Sequence, residues 1–355
     1  MSRLYLRPLG LLYGAAAQDA IADGLALPLA GGPTAFSAAE LIEGTAGDSK
    51  SLLLNARTLA ESREPELAPV IEKISAPRAS FAGLSYERPI LMGIVNVTPD
   101  SFSDGGLYDT TEAAVSHAAA LAKDGADIVD VGGESTRPGS DAVEVEEERA
   151  RVVPVIQKLK GLKAAISVDT RKSLVARAAA EAGATIFNDV SALTYDPDSL
   201  RAAAEKKLGI ILMHARGEPK TMQDNPTYDD VVLEVYDYLA ARIAAAEAAG
   251  IPRARIAADP GIGFGKTLAH ILALMANLSL FHGLGVPLLV GASRKRFIGT
   301  ARDGETPRDR EPGSHAAAIA AVAQGVQMLR VHDIAGTRQA LRVWLGAMAG
   351  AEKPL

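Results

Sequence analysis

The sequence predicts an α/β protein built as a (β/α)8 barrel of the TIM class with a small N-terminal extension. From Ile90 onward, eight short strand-like segments alternate with alanine-rich helical segments. Glycine ends several of the helices, and polar residues follow every strand at the same end. A barrel of this class typically needs about 250 residues. The chain has 355 residues, which leaves room for an extension.

Several of the predicted strands are apolar on both faces, as expected for parallel strands that helices cover. The eight segments are Ile90–Val95, Asp127–Val131, Ala164–Val168, Thr185–Phe187, Ile210–Met213, Arg255–Ala258, Pro287–Gly291 and Val326–Val331. Glycine accepts the left-handed conformation that ends a helix. It precedes five strands, as Gly125, Gly183, Gly209, Gly250 and Gly325. A doubly wound sheet ranks second, because it usually has fewer strands.

Residues 1–88 lack this alternation and are predicted to form the extension, which leaves residues 89–355 for the barrel. Within the extension, Arg57–Ile74 has the pattern of a helix. Breaks are predicted at Gly31-Gly32-Pro33 and at Ala76-Pro77. The favoured role of the extension is packing or stability.

Composition and charge exclude several classes of function. The net charge of −6 gives no overall attraction to nucleic acid or to anionic membranes, so any anion site must be local. The absence of cysteine excludes disulfides and thiolate metal sites, and it is consistent with a reducing compartment. No uncharged apolar run approaches the roughly 20 residues that span a bilayer. We therefore expect a soluble, cytoplasmic protein.

Polar side chains follow all eight predicted strands. In a TIM barrel the carboxyl ends of the strands meet on one face, where the chemistry takes place. Any one such residue would most often be a capping or loop-stabilising group, so the recurrence is what favours a site. The residues are Asn96, Glu134, Thr136, Arg137, Asp169, Asn188, Asp189, His214, Asp259, Ser293, Arg294, Lys295, Arg330 and His332.

Some of these residue types suit a phosphate and a metal ion. Arg330 and His332 are two residues apart on a strand and point the same way. With Lys295 they can form a compact cationic site for phosphate oxygens. Asn96 offers a hard oxygen ligand for Mg2+, which takes few protein ligands and completes its shell with water and phosphate.

Other residues suit a flat heterocycle. Asp259 and Asn188 can bond the edge of such a ring, with the carboxylate accepting from an amidine-like N–H and NH2 pair. Gly261, Gly263 and Gly265 follow Asp259 and would let a ring approach the backbone closely.

Two other interpretations of these motifs are rejected. The stretch ending in Gly265-Lys-Thr267 is not a Walker A loop, because Pro260 stands where that motif requires glycine. The six histidines are scattered without metal-ligand spacing, which argues against a zinc hydrolase.

Seven motifs, taken as a set and in order, resemble those of the dihydropteroate synthases over roughly residues 88 to 345. They are Asn96-Val-Thr-Pro-Asp-Ser-Phe-Ser-Asp-Gly-Gly106, Gly132-Gly-Glu-Ser-Thr-Arg-Pro-Gly139, Ser167-Val-Asp-Thr170, Asn188-Asp-Val190, Asp259-Pro-Gly-Ile-Gly-Phe-Gly-Lys-Thr267, Ser293-Arg-Lys295 and Arg330-Val-His-Asp333. Each motif alone is weak, but the set is specific.

The resemblance implies a transferase of folate biosynthesis. Such an enzyme condenses (7,8-dihydropterin-6-yl)methyl diphosphate with 4-aminobenzoate and releases 7,8-dihydropteroate and diphosphate. The resemblance also implies Mg2+ as cofactor, small molecules rather than nucleic acid or membrane as partners, and a homodimer.

The resemblance further implies a role for each matching residue. Diphosphate is held by Thr136, Arg330 and His332, and Mg2+ by Asn96. The pterin ring is held by Asp169, Asn188, Asp259 and Lys295. The catalytic set is Asp104, Arg137 and Lys295, with the loops of Asp104 and Arg137 closing over the site. A helix starting near Arg296 receives the 4-aminobenzoate carboxylate at its N-terminus.

Two alternatives stay open at this point. A pterin-dependent corrinoid methyltransferase would share the pterin pocket but should lack the cationic diphosphate site. A catalytically idle paralogue should have lost its loop motifs, and both loop motifs are intact in this sequence.

Overall fold

The computed structural model describes residues 3–98, 107–135, 140–218, 220–301 and 306–349. Residues 3–75 form a four-stranded antiparallel sheet with short helices. In chain order its elements are β1 (Arg3–Leu12), α1 (Gly14–Ala22), β2 (Leu27–Pro28), β3 (Ala35–Thr45), β4 (Asp48–Asn55), α2 (Ala56–Glu61) and α3 (Ala68–Ser75). Strand β3 pairs with β1 on one side and with β2 and β4 on the other.

The prediction of one helix over Arg57–Ile74 is wrong. Two helices, α2 and α3, cover this stretch, and non-helical residues separate them. Pro65 lies in the break, and proline disrupts a helix interior because it lacks an N–H and its ring clashes with the preceding turn. Asn55 caps α2 by accepting from the backbone N–H of Thr58 at 2.8 Å.

The predicted barrel is confirmed. Its strands are β5 (Ile90–Asn96), β6 (Ile128–Gly132), β7 (Ala165–Asp169), β8 (Ile186–Asp189), β9 (Gly209–Met213), β10 (Ile256–Asp259), β11 (Leu289–Val290) and β12 (Met328–Val331). They pair in parallel in the order β10-β9-β8-β7-β6-β5-β12-β11. A parallel bridge between Ala258 and Leu288 brings the two ends together.

The helices surround this sheet. They are α4 (Leu107–Asp124), α5 (Val145–Lys158), α6 (Ser173–Ala182), α7 (Ser199–Glu205), α8 (Val231–Ala248), α9 (Leu268–Ala276), α10 (Glu311–Val322) and α11 (Ile334–Ala349). Alanines on their inner faces, such as Ala118, Ala179 and Ala321, are fully buried and let the helices lie close to the strands. No helix among the described residues is long and apolar enough to cross a membrane.

The extension packs on the outside of the barrel. Tyr5 of β1 is buried, and its hydroxyl lies 3.0 Å from both carboxylate oxygens of Asp237 on α8. Its ring meets Tyr236 edge to face, with 5.2 Å between the centroids. Further along, Arg78 donates to the carbonyl of His282 at 2.9 Å.

Segment 81–86 belongs to the barrel core although it precedes the predicted domain boundary. Phe81 is completely buried among the interior residues at the amino end of the strands, including Met92, Ile128 and Ile211. Its ring touches the backbone of β9, because a Cβ added at Gly209 would lie 3.1 Å from it. The amino end of the barrel is therefore closed by residues that precede β5.

Candidate active site

Four strands bring charged and amide side chains together inside the barrel mouth. Arg330 of β12 donates from Nε to Asp130 of β6 and from Nη2 to Asp169 of β7, each at 2.7 Å. Asn188 of β8 donates to the same oxygen of Asp130 at 3.0 Å. Asp169, Asn188 and Arg330, predicted from sequence as separate strand ends, therefore form one cluster.

The cluster keeps unused hydrogen-bonding capacity. Oδ1 of Asp130 and Oδ1 of Asp169 are both buried, and neither has a hydrogen-bond partner among the described residues. A buried carboxylate oxygen without a partner is costly, so such atoms mark a place for a ligand that donates N–H groups.

Burial sets the ionisation of this cluster. It raises the pKa of Asp169 to about 7, although the Arg330 guanidinium opposes the rise and Asp130 adds to it. Burial also lowers the pKa of Arg330, but Asp130 and Asp169 outweigh that effect and the net shift is upward. Arg330 therefore stays charged, while Asp169 takes up a proton close to neutral pH.

Sequence reasoning missed Asp130. It lies in the middle of β6, and its side chain is fully buried. The available signal was a carboxylate inside the apolar run Ile128-Val-Asp-Val-Gly132, since a buried charge needs a partner.

A second group lies where β10 ends. Oδ1 of Asp259 accepts from the backbone N–H of Gly261 at 2.7 Å. Lys295, after β11, donates to the carbonyl of Ile262, and its Nζ lies 4.5 Å from the centre of the Phe264 ring. Burial lowers the pKa of Lys295 to about 8 despite the nearby Asp259 carboxylate. Burial raises the pKa of Asp259, and Lys295 opposes that rise.

Side chains donate hydrogen bonds to four successive backbone carbonyls of the loop between Asp259 and Thr267. Lys295 bonds the carbonyl of residue 262, Gln223 that of residue 263 at 2.7 Å, Lys266 that of residue 264 at 3.0 Å and Tyr228 that of residue 265 at 2.8 Å. These contacts fix the surface beside Asp259 before any ligand arrives.

Lys266 is a buried residue that sequence reasoning did not single out. Its Nζ lies 2.9 Å from Nδ1 of His214, which follows β9. Burial is the main cause that lowers the pKa of His214 to about 2, and the positive charge of Lys266 is the second. This imidazole is therefore neutral at physiological pH. His214 therefore anchors the loop instead of acting as an acid or base.

The glycines of this loop serve the backbone more than the ligand. Gly261 has φ of 68°, and a Cβ at this position would lie 1.8 Å from the carbonyl oxygen of His214. The expected close approach of a ring is thus not what requires this glycine.

We expect Gly261→Ala to weaken binding of the pterin that the resemblance implies by at least about tenfold, since the strained loop would withdraw its N–H from Asp259. Calorimetry with a pterin that lacks diphosphate measures this directly. Gly161→Ala is a matched control, because Gly161 also has positive φ (91°) but its added Cβ would meet no atom within 4 Å. Equal losses in both variants would contradict the explanation.

His332 and Asn96 lie at the carboxyl ends of adjacent strands. The Nδ1 atom of His332, just after β12, is 3.0 Å from the hydroxyl oxygen of Ser293. Asn96 is half-buried at the carboxyl end of β5, the strand that pairs with β12. The predicted grouping of these residues at one edge of the mouth is consistent with the strand order.

Glu134 belongs to a buried ion network. It accepts from Arg171 at 2.8 Å and from Lys172 at 2.6 Å, and Lys172 also contacts Glu148 of α5 at 2.5 Å. Its other contact is the backbone N–H of Val143 at 2.8 Å. Glu134 therefore ties the segment after β6 to the segment after β7, which is a structural role.

Three of the predicted residues, Asp104, Thr136 and Arg137, lie outside the described residues. The expected helix near Arg296 is a six-residue 3₁₀ segment, Arg296–Ala301. So short an element has little dipole, and the proposed carboxylate site at its N-terminus loses its physical basis.

Among the described residues, one group of carboxylates and histidine could hold a metal ion: Glu311, His315 and Asp333. Arg294 already pairs with Glu311, and Nε2 of His315 lies 3.1 Å from Asp333. These contacts engage one oxygen of Glu311 and the His315–Asp333 pair, while Oε2 of Glu311 is buried without a hydrogen-bond partner among the described residues.

Comparison with known proteins agrees with this geometry. The family model described as pterin binding enzyme matches residues 92–332. The curated dihydropteroate synthase of Escherichia coli K12 is 47% identical over 275 residues, which are 77% of this chain and 97% of that protein. The chain belongs to the dihydropteroate synthase family. It is accordingly a transferase of folate biosynthesis with a pterin site on a TIM barrel.

Other members of the family are equally similar. The curated dihydropteroate synthase of Neisseria meningitidis serogroup B is 50% identical over 266 residues, covering 74% of this chain and 93% of that protein. Among solved structures, Xanthomonas albilineans dihydropteroate synthase with 4-aminobenzoic acid superposes with a TM-score of 0.72 at 51% identity, covering 77% and 98% of the two chains. A structure of that enzyme with 7,8-dihydropteroate gives 0.69 at 48% identity, covering 77% and 99%.

Proposed function

We propose that this chain condenses (7,8-dihydropterin-6-yl)methyl diphosphate with 4-aminobenzoate inside the barrel mouth. The observation that carries the proposal is the pair of buried carboxylates, Asp130 and Asp169, beside a fixed cation, Arg330. Each carboxylate has one oxygen without a hydrogen-bond partner among the described residues. The Xanthomonas albilineans relatives bound to 4-aminobenzoic acid and to 7,8-dihydropteroate support it.

The pterin ring would lie among Asp169, Asn188, Asp259 and Lys295. Carboxylates accept from the ring N–H and NH2 groups, whereas the amide and the ammonium donate to ring nitrogens and to the ring carbonyl. Because all four groups are buried or nearly so, their hydrogen bonds with the ring would be little weakened by solvent.

The reaction needs electrostatic stabilisation more than a base. When the C–O bond to the diphosphate breaks, its electron pair leaves with the diphosphate and a delocalised cation stays on the pterin methylene. Arg330, His332 and Lys295 would stabilise the departing charge. The neutral aromatic amine is already nucleophilic, so its nitrogen can attack the methylene without a catalytic triad. The new C–N bond makes that nitrogen acidic, and its proton passes to solvent or to the released diphosphate.

We further propose that Asn96 contributes a ligand to Mg2+. Its amide oxygen at the end of β5 suits this ion, and the described residues around it provide no cage of carboxylates. The ion would take its remaining ligands from water and diphosphate, where it offsets the charge of the leaving group.

Asn96→Ala should weaken Mg2+-dependent binding of the pterin diphosphate, because one metal ligand is lost. Pterin without diphosphate should bind nearly as in the wild type. Titration calorimetry of both ligands, with and without Mg2+, measures the difference. Equal loss of both ligands would remove Asn96 from the metal site.

A coupled assay for diphosphate release, with 4-aminobenzoate present or omitted, tests the proposed reaction. Release that depends on the amine supports condensation. Methyl transfer from a reduced folate to a corrinoid, without diphosphate release, would instead support the methyltransferase.

A cytoplasmic location and a homodimer complete the proposal. The absence of cysteine supports a cytoplasmic location, because proteins of a reducing compartment do not depend on disulfides. Light scattering of the purified chain tests the second, with a mass of about twice 36.9 kDa expected.

A further inference from the structure

Ser293 lies beside the proposed diphosphate site and has no role in the mechanism given above. Its side chain is buried, with 7% of the residue surface exposed. Its Oγ lies 3.0 Å from Nδ1 of His332, and the backbone N–H of His332 donates to the same oxygen at 3.3 Å. The contact is set by the sheet, because β11 and β12 are paired neighbours.

The positions of the Ser293 hydroxyl hydrogen and of the His332 ring proton follow by elimination. The backbone N–H of His332 can only donate, so it occupies a lone pair of Oγ. The single hydroxyl hydrogen then needs an acceptor, and His332 Nδ1 is the one that the described residues provide. If Nδ1 carried the proton instead, the buried hydroxyl hydrogen would lose its partner, which is unfavourable. The neutral imidazole therefore carries its proton on Nε2.

We propose that Ser293 is a positioning residue that holds His332 as a neutral Nε2–H donor to a diphosphate oxygen. The proposal rests on the proposed function. As the C–O bond breaks, negative charge grows on the departing diphosphate. The diphosphate is already anionic in the bound substrate, so a donor fixed in advance binds its oxygen before and during bond cleavage without reorganising, and no proton is transferred to or from His332.

Steady-state kinetics of the full chain provide the first test. Ser293→Ala should raise KM for the pterin diphosphate about tenfold, which corresponds to one hydrogen bond, and leave KM for 4-aminobenzoate within about twofold. Ser293→Thr keeps the hydroxyl and should restore KM. Ser279→Ala is the matched control, since it removes a buried hydroxyl that donates to the carbonyl of Pro8 in the extension at 2.9 Å. An unchanged KM in Ser293→Ala, or an equal rise for both substrates, would overturn the proposal.

Nitrogen-15 spectra of histidine-labelled protein provide the second test, and His332→Gln assigns the resonance. We expect the Nε2–H pattern for His332 in the wild type, and a mixture of tautomers in Ser293→Ala. An Nδ1–H pattern in the wild type would overturn the proposal. This measurement needs no substrate, so it distinguishes a failure of the tautomer assignment from a failure of the proposed function. A wild type with the Nε2–H pattern but without condensation activity would overturn the proposed function and leave the tautomer assignment standing.

Discussion

Arg330→Ala is expected to lower kcat/KM for the pterin diphosphate by roughly 30- to 150-fold, the equivalent of about 2–3 kcal/mol for one charge-assisted hydrogen bond. It should also lower the free energy of unfolding by about 3–5 kcal/mol, because Asp130 and Asp169 would stay buried without their cation. The stability loss follows from the structure, in which the guanidinium joins two carboxylates instead of facing only the substrate.

The loss of stability should depend on pH in a defined direction. The folded-state pKa of Asp169, about 7, lies above the value of about 3.9 for an unfolded chain. The folded state therefore binds more protons, and stability falls as pH rises between these values. Arg330 restrains this pKa, so its removal moves the pKa further up. The difference in unfolding free energy should therefore be smaller near pH 5 than above pH 7.

Urea unfolding at three pH values measures this difference, and Arg330→Lys serves as the control. Lysine keeps the charge but cannot reach both carboxylates with a planar fork, so an intermediate loss is expected. A loss in Arg330→Ala that is the same at pH 5 and pH 8 would show that the ionisation of Asp169 is not responsible.

The barrel could be predicted because its signals are local. Each strand is marked by a short β-branched run, and its polar end by the next one or two residues along the chain. The sheet order then groups Asp169, Asn188 and Arg330 without further information, since the carboxyl ends of the strands share one face.

The two site residues that the sequence did not predict, Asp130 and Lys266, contact partners that lie far from them along the chain. Asp130 contacts Arg330 across 200 positions, and Lys266 contacts His214 across 52. Neither partner can be identified from a short-range pattern, although Asp130 stands out as a carboxylate within an apolar strand. Lys266 lies in a glycine-rich loop that looks exposed in sequence. The single helix over Arg57–Ile74 was mispredicted for the opposite reason, because the local signal of Pro65 was underweighted against the surrounding helical pattern.

Phe81→Ala should lower the free energy of unfolding of the barrel by about 3–5 kcal/mol, as expected for a phenylalanine removed from a packed core. Phe81 is completely buried between the strands at the amino end of the barrel, where it packs on Met92 and Ile128. The same argument predicts that a chain beginning at Tyr86 is less stable than one beginning at Arg78, since only the longer chain keeps this ring.

Phe36→Ala provides a matched comparison. Phe36 is as deeply buried as Phe81, but it packs in the extension's own core with Leu6, Leu29 and Ile74. Pterin binding measured along a urea titration should therefore be lost at a lower urea concentration in Phe81→Ala than in Phe36→Ala. If Phe36→Ala lowers the midpoint of pterin binding as much as Phe81→Ala, the extension and the barrel unfold as one unit. The stability of the barrel would then depend on the whole N-terminal sheet and not on Phe81 in particular.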